Sequence, residues 1–495
     1  MTEAQRLILA GVITTIWLLG CVWLLCRHRG TRPLADARAD LLVAYASQSG
    51  NAAALARQQA QQLAERGRVN ILPLNQVSPT LLKNTPKALF VVSTYGEGEP
   101  PDNGRRFSQR FLKPQAKSAV DLSHLRYSVI ALGDRNYAGF CAFGHQLYQG
   151  LAALGAQAEQ PLTEIDAAND LMHWQLPAAA TPHTSQPVQP LLHWQLCQRQ
   201  QLNPGSTNAP LYLLSLSMPG PMPVWRAGDV LTIQPKHDPQ KIQRWLERTQ
   251  MEAEKIVVIN QRAQSLSDWL AERHLPEQGC PQGSPVTDWL DQLPHLPQRQ
   301  YSVASVPAEG VLKLIVRLQY RTDGGPGTGS GWLTRYCMTG EHFAATIQAN
   351  VHCHIHNHRA PLLLIGAGSG LAGMRAQLMQ RAAQADAGPV WLIFGERSES
   401  HDNPLAHELD YWRDQGLISR LDKTYSQGPQ PGYVQYVLNS QAGALKDFMA
   451  QDGEIYLCGN KSGMGDGVHQ CLQKLLGEQL LEQLTEQGRY HRDLY

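Results

Sequence analysis

Three short apolar runs, at 41–46, 88–92 and 127–131, each stop at a loop rich in hydroxyls, glycine and tyrosine. Runs of this length without alternation fit strands buried on both faces, and the helical spacing at 52–65 after the first supplies a covering helix. The chain therefore opens with a doubly wound parallel sheet, whose ligands would sit outside the carboxyl ends of the strands. The first loop is Ser47-Gln48-Ser49-Gly50-Asn51 at the start of a helix, where free N–H groups and the helix dipole favour an anion. It has no lysine, which disfavours a Walker-type loop and favours a monophosphate held by hydroxyls and backbone. An ordinary Ser or Asn cap is the plainer alternative. The other two loops carry Tyr95 and Tyr137. With the phosphate loop they describe a flat ring with a phosphate tail, against two core tyrosines as the bland reading.

Further on, Arg299 offers a planar fork for a pyrophosphate, Tyr301 an aromatic face, and Ser302 a hydroxyl beside it. Gly327-Thr328-Gly329-Ser330 follows, where glycines let backbone N–H groups approach phosphate oxygens. Together these point to FAD. The sequence around them alternates as antiparallel barrel strands from residue 191, interrupted by helical spacing from about 239 to 297. A buried-type strand at 362–365 then runs into Gly366-Ala367-Gly368-Ser369-Gly370 and a helix, a turn that admits a pyrophosphate to a helix N-terminus.

At 495 residues the chain suggests two or three domains. Forty-three basic residues against 42 acidic ones give a net charge of +1, which argues against nucleic-acid binding. The nine cysteines are scattered without a Cys-x-x-Cys pair, which excludes a disulfide framework and a zinc ribbon and fits a reducing compartment. Residues 7–26 carry no charge and would span about 30 Å as a helix, the thickness of a bilayer core. Arg27, Arg29 and Arg32 outnumber Arg6 across it. The expectation is a single-pass inner-membrane anchor with the catalytic domains in the cytoplasm. Residues 178–190 are rich in Pro, Thr and Ser and read as a linker. His352, His354, His356 and His358 alternate; on a strand they would share a face suited to zinc, copper or nickel, and the plainer alternative is an exposed strand edge or loop that is simply His-rich.

Taken in order, these motifs resemble the diflavin reductase family, which includes cytochrome P450 reductase and the sulfite reductase flavoprotein. The three opening loops are similar to its flavodoxin domain. The segments 392–397, 432–435 and 456–459 are similar to its nicotinamide domain, and Arg489-Tyr490-His491-Arg492-Asp493-Leu494-Tyr495 to its ending. The implied organisation is an anchor at 7–26, an FMN domain at 40–175, a linker at 176–190, an FAD-binding barrel with a helical insertion at 191–358, and an NAD(P)H-binding α/β domain at 359–495. The resemblance implies that Tyr95 and Tyr137 sandwich the FMN ring, and that Ser47, Gln48, Ser49, Gly50 and Asn51 hold its phosphate. Ser93, Thr94, Gly96, Gly98, Leu132, Gly133, Asp134 and Phe140 complete that cradle.

FAD would rest on Arg299, Tyr301, Ser302, Gly327, Thr328, Gly329 and Ser330. The pyridine nucleotide would meet Gly366, Ser369, Gly370, Arg397, Ser426, Tyr433, Gln435 and Met464. Ser302, Cys458 and Asp493 would line the hydride path, and Tyr495 would stack on the FAD ring and move aside. Electrons would pass from NAD(P)H to FAD to FMN and leave singly to a haem, siderophore-iron or sulfite-reductase-type acceptor. A self-contained flavin, ferric or quinone reductase is the rival, and a redox sensor the non-enzyme alternative. Glu97, Glu99, Asp102 and Asp134 near the FMN loops suit an acceptor with a basic docking face. The chain departs from the family at the 2′-phosphate. Ser426 is present, but Gln427 stands where an arginine is expected and the lysine is replaced by Pro or Gly. NADH is therefore a candidate beside NADPH, with Arg397 or Lys423 as replacement cations.

Overall fold

The computed structural model describes residues 40–47, 50–65, 67–95, 98–112, 121–135, 139–166, 192–259, 262–281 and 285–495. The first sheet contains β1 (Leu41–Ala46), β2 (Val69–Pro73), β3 (Lys87–Ser93), β4 (Arg126–Gly133), β5 (Gln157–Ala158) and β6 (Thr163–Asp166). All pairings are parallel, in the order β2-β1-β3-β4-β5, with β6 also on β4. The central strands are apolar at nearly every position because helices cover both faces. Phe90, Phe107, Tyr127 and Phe143 fill one side. On the other, the helix Asn51–Ala64 lays Ala52, Leu55, Ala56 and Ala60 on Val43, Val91 and Ile130. Each large side chain buried this way contributes about 1.5–3 kcal/mol.

The second unit is an antiparallel sheet of β7 (Leu192–Gln201), β8 (Leu211–Ser217) and β9 (Val230–Ile233) with three later strands. Before those come the helices Pro239–Thr249, Leu266–Ala271 and Val286–Asp291, with a hairpin of β10 (Ile256–Ile259) and β11 (Arg262–Ser265). The hairpin was not expected from the helical spacing. Its β-branched run buries Val257 and Ile259 in a small core with Trp245 and Trp269. The sheet resumes with β12 (Arg299–Ser302), β13 (Leu312–Arg317) and β14 (His342–Gln348), in the order β12-β9-β14-β7-β8-β13. A bridge between Val303 and Leu314 joins its two ends and closes the barrel. Trp194, Trp332 and Phe343 fill it, the last two edge to face at 5.0 Å.

The third unit is a parallel sheet of β15 (Leu362–Ala367), β16 (Val390–Glu396), β17 (Ile418–Tyr425), β18 (Glu454–Gly459) and β19 (Tyr490–Leu494), in the order β17-β16-β15-β18-β19.

Two expectations are corrected. The longest helix among the described residues, Asn51–Ala64, has 14 residues, about 21 Å against a bilayer core of about 30 Å. None among those residues is long and apolar enough to cross a membrane. The stretch 7–26 on which the anchor was placed lies outside the described residues, as does the linker 176–190. The expected transmembrane helix thus has no counterpart among the described residues, and the inner-membrane location inferred from it is unsupported. The histidine run is not a strand sharing one face. Val351–Cys353 is a short 3-10 turn, His354 is buried against Asp229 at 2.6 Å, and His356 is exposed. Among the described residues no cluster of His, Cys, Asp or Glu could hold a metal.

Candidate redox site

Because all five strands of the third sheet run the same way, their carboxyl ends gather on one edge. There β15 turns through Gly368–Gly370 into the helix Leu371–Ala382. A Cβ on Gly370 would lie 2.0 Å from the Cys458 carbonyl oxygen, so the turn can rest on β18 only with glycine in that place. Beside it, Cys458 on β18 is the register partner of Asp493 on β19. The Cys458 thiol donates to Asp493 Oδ2 at 3.4 Å, and the Tyr456 hydroxyl donates to the same oxygen at 2.9 Å. Ser302, the last residue of β12, adds a third donor from the barrel. Burial raises the Asp493 pKa, opposed by these three donors. Burial, reinforced by the Asp493 charge, pushes the Cys458 thiol well up, so it stays protonated. Tyr495 is half exposed and donates through its hydroxyl to Ser369 Oγ at 2.8 Å.

Ser302, Cys458, Asp493, Ser369 and Tyr495 thus come together from four parts of the chain. Tyr456 joins them and was missed. The available signal was its place two residues before Cys458, which puts both side chains on one face of a strand.

On β12, Arg299 and Tyr301 share a face. A Cβ on Gly329 would lie 2.7 Å from both Arg299 Cγ and the Tyr301 hydroxyl, so the Gly327–Ser330 turn sits directly on them. Ser330 Oγ accepts from the Gln319 N–H at 3.0 Å and fixes the turn. Glycine backbone beside a guanidinium and a phenol ring fits the pyrophosphate and ring of FAD.

At the carboxyl edge of the first sheet, the Ser47 N–H donates to Asn103 Oδ1 at 3.0 Å. Ser47 Oγ and Asn103 Nδ2 are buried without a partner among the described residues. Such groups are costly alone, and phosphate oxygens would satisfy both, so this loop fits FMN. Gly50 precedes the Asn51 helix with φ +91°. Ser93 Oγ donates to the Ala46 carbonyl at 3.3 Å, and the Thr94 N–H to that of Leu132 at 2.8 Å, fixing three strand ends together. Gly98 lies against Ala142, Gly133 against Phe140, and the Arg135 guanidinium sits 4.5 Å over the Phe140 ring. Asp134 follows Gly133 at the half-exposed end of β4. Gln48, Ser49, Gly96, Glu97 and Tyr137 lie outside the described residues.

Tyr95 is buried by the third unit. Its hydroxyl donates to the Leu494 carbonyl at 3.4 Å, and the Lys461 ammonium lies 5.1 Å over its ring. Around it, Arg492 pairs with Asp102, Lys461 with Glu99 at 3.4 Å, and Arg106 with Glu486 at 2.5 Å. Glu99 and Asp102, expected to face an acceptor, are engaged internally.

At the ends of β16 and β17, the Ser426 and Gln427 N–H groups donate to the carbonyls of Glu396 and Arg397. Arg397 is exposed and donates to Asn208 Oδ1 at 3.0 Å; Lys423 is half-buried, bonded to Asn403, and its pKa is lowered by burial. Of the two candidate cations, Arg397 is the accessible one. Tyr433 is exposed and stands edge to face with Tyr436 at 5.5 Å. Gln435 is half-buried near Gly467, and Met464 lies against Gly459.

Residues 43–175 match the Flavodoxin family and residues 364–470 the Oxidoreductase NAD-binding domain family. The chain is similar over nearly its whole length to proteins named Sulfite reductase [NADPH] flavoprotein alpha-component. That of Bacillus subtilis (strain 168) is 25% identical, over 92% of this chain and 89% of the relative. That of Aliivibrio fischeri is 24% identical, over 97% and 94%. That of Yersinia enterocolitica is 26% identical, over 97% and 94%. With a Flavodoxin-type sheet, a barrel and an NAD-binding-type sheet following one another in a single chain, the whole polypeptide is similar in organisation to these flavoprotein components.

Proposed function

We propose that this chain is an NADPH-dependent flavoprotein oxidoreductase that carries electrons from NADPH through FAD and FMN to a partner of the sulfite reductase type. The single observation that carries the reading is the Tyr95 hydroxyl on the Leu494 carbonyl, between Asp493 and Tyr495. It puts the residue expected at one flavin against the strand expected to serve the other. The bound cofactors supply hydride and single-electron chemistry; the protein supplies position, charge and exclusion of water. Arg299, Tyr301 and the Gly327–Ser330 turn would orient FAD, while Ser47 and Asn103 would hold the FMN phosphate. The Gly368–Gly370 turn would receive the nucleotide pyrophosphate, with Arg397 nearest the 2′-phosphate. The Tyr495 backbone is held by bonds to Gly459 and Lys461, but its side chain is tied by one hydroxyl bond to Ser369, a contact weak enough to yield to an incoming ring. The buried Asp493 would face the nicotinamide end with its charge.

The test is anaerobic stopped-flow reduction of the flavin-loaded protein with NADPH and, separately, NADH. Rapid flavin bleaching with NADPH, followed by electron delivery to a sulfite reductase partner component, is expected. Bleaching by neither nucleotide would refute the proposal. Equal rates with both would show that Gln427 has removed discrimination at the 2′-phosphate.

A further inference from the structure

Tyr456 lies at the centre of the cluster on β18 and β19 and is fully buried. Its hydroxyl donates to Asp493 Oδ2 at 2.9 Å, closer than the Cys458 thiol at 3.4 Å to the same atom. We infer that Tyr456 is the positioning residue of the hydride site: its hydroxyl fixes Asp493 in place and keeps that carboxylate ionised. The inference rests on the function proposed above and names a group that, with Ser302, holds Asp493 there.

Three observations support it. A thiol is a weak donor and a phenol a strong one, so of these two neighbours on β18 the tyrosine does most to hold the charge. The helix Leu371–Ala382 closes over the pair so tightly that a Cβ on Gly373 would come within 2.4 Å of the Tyr456 hydroxyl, 3.0 Å of Asp493 Oδ2 and 3.0 Å of Cys458 Sγ. Water has no room between them. Third, the groups facing Asp493 are neutral donors or weak acids. They are Ser302 from β12, Tyr456 and Cys458 from β18, Cys353 from the 351–353 turn, Tyr495 from the chain end and Tyr95 from the first unit. The adjacent Arg492 pairs instead with Asp102. Burial pushes the Asp493 pKa up, and only hydroxyl and thiol donors pull it down. A carboxylate so held is a fixed counter-charge for a nicotinamide ring that becomes cationic as hydride leaves.

The test is Tyr456→Phe, which removes one oxygen and keeps the ring. Reduction of the flavin-loaded protein by NADPH is followed from pH 8 to pH 6, and the ratio of the two rates is compared with wild type. In Y456F that ratio should rise about tenfold or more, because Asp493 now takes up a proton within the range. Asp493→Asn should be slow at both pH values, with no added slope. Independently of turnover, infrared difference spectra of the flavin-loaded protein between pH 8 and pH 6 should show a carboxylic-acid C=O stretch appearing in Y456F. That band should be absent from wild type and from the Y456F/D493N double variant. A Y456F profile parallel to wild type, or no such band, overturns the inference. If NADPH reduces no flavin in the wild type, the proposed function fails, while the infrared band still decides the role of Tyr456.

Discussion

At the end of β1, Ser47 Oγ and Asn103 Nδ2 are buried with no partner among the described residues, whereas at the ends of β18 and β19 Tyr456, Cys458 and Asp493 bond one another. Both places are the carboxyl edge of a parallel sheet followed by a helix. One keeps polar groups in reserve and the other satisfies them internally. The first arrangement would suit a cofactor that stays, since a phosphate there would satisfy both groups. The second would suit a ligand that comes and goes, since its polar groups already bond one another and the Tyr495 side chain is held by a single bond to Ser369.

The largest effect should come from removing the close approach on which the internally satisfied site depends. Gly370→Ala would press a methyl onto the Cys458 carbonyl. It is expected to slow NADPH-driven flavin reduction at least about a hundredfold and to lower stability by about 1–3 kcal/mol. Stopped-flow and thermal unfolding measure both, while FMN content should be unchanged. A tolerated alanine would show that the turn does not need to rest on β18.

The next effect concerns the joint between the two edges. Asp102→Asn would leave Arg492 buried beside a neutral amide, at a cost of about 3 kcal/mol to the contact between first and third units. A larger radius of gyration in solution scattering, with faster hydrogen exchange along β19, is expected. Unchanged scattering would mean that the remaining contacts suffice.

Ser47→Ala tests the reserve directly. FMN affinity should fall about tenfold, from one lost bond to a charged phosphate, with FAD retained. Flavin stoichiometry after dialysis reads it, and equal loss of both flavins would refute the assignment.

The smallest effect is a pH dependence of the joint. Burial, and secondarily the Arg105 guanidinium, lower the His469 pKa from its ordinary 6.5 to about 4, and its Nε2 accepts from Arg105 across the interface at 3.2 Å. A base whose pKa is depressed in the contact stabilises it above about 6.5 and progressively loses that contribution as pH falls toward 4. Scattering should therefore show loosening between pH 7 and pH 5 that His469→Gln reduces.

Much of this was legible in the chain. The unalternating runs at 41–46 and 362–365 and the glycine turns at 327–330 and 366–370 express local rules of strand burial and backbone room. Those rules act within a few residues, so the sheets and their ligand edges could be read directly. The hairpin at 256–265 was missed because a short β-branched run between helices carries no distinct period. The histidine run stayed open between strand and loop because alternation implies one face only if the segment is a strand, and the carboxylate that meets His354 is Asp229, far away in sequence.

Local patterning was enough to settle which segments form strands, which loops have glycine where backbone must pass close, and therefore the kind of ligand each edge can take. Which side chains share an oxygen depends on how the strands and units pack. Tyr456 meets Asp493, and Arg492 meets Asp102, because β18 lies beside β19 and the first unit docks on β19. These pairings join residues 37 and 390 positions apart. No local pattern encodes such distances, since what selects the partners is the cost of burying charge and hydroxyl groups alone.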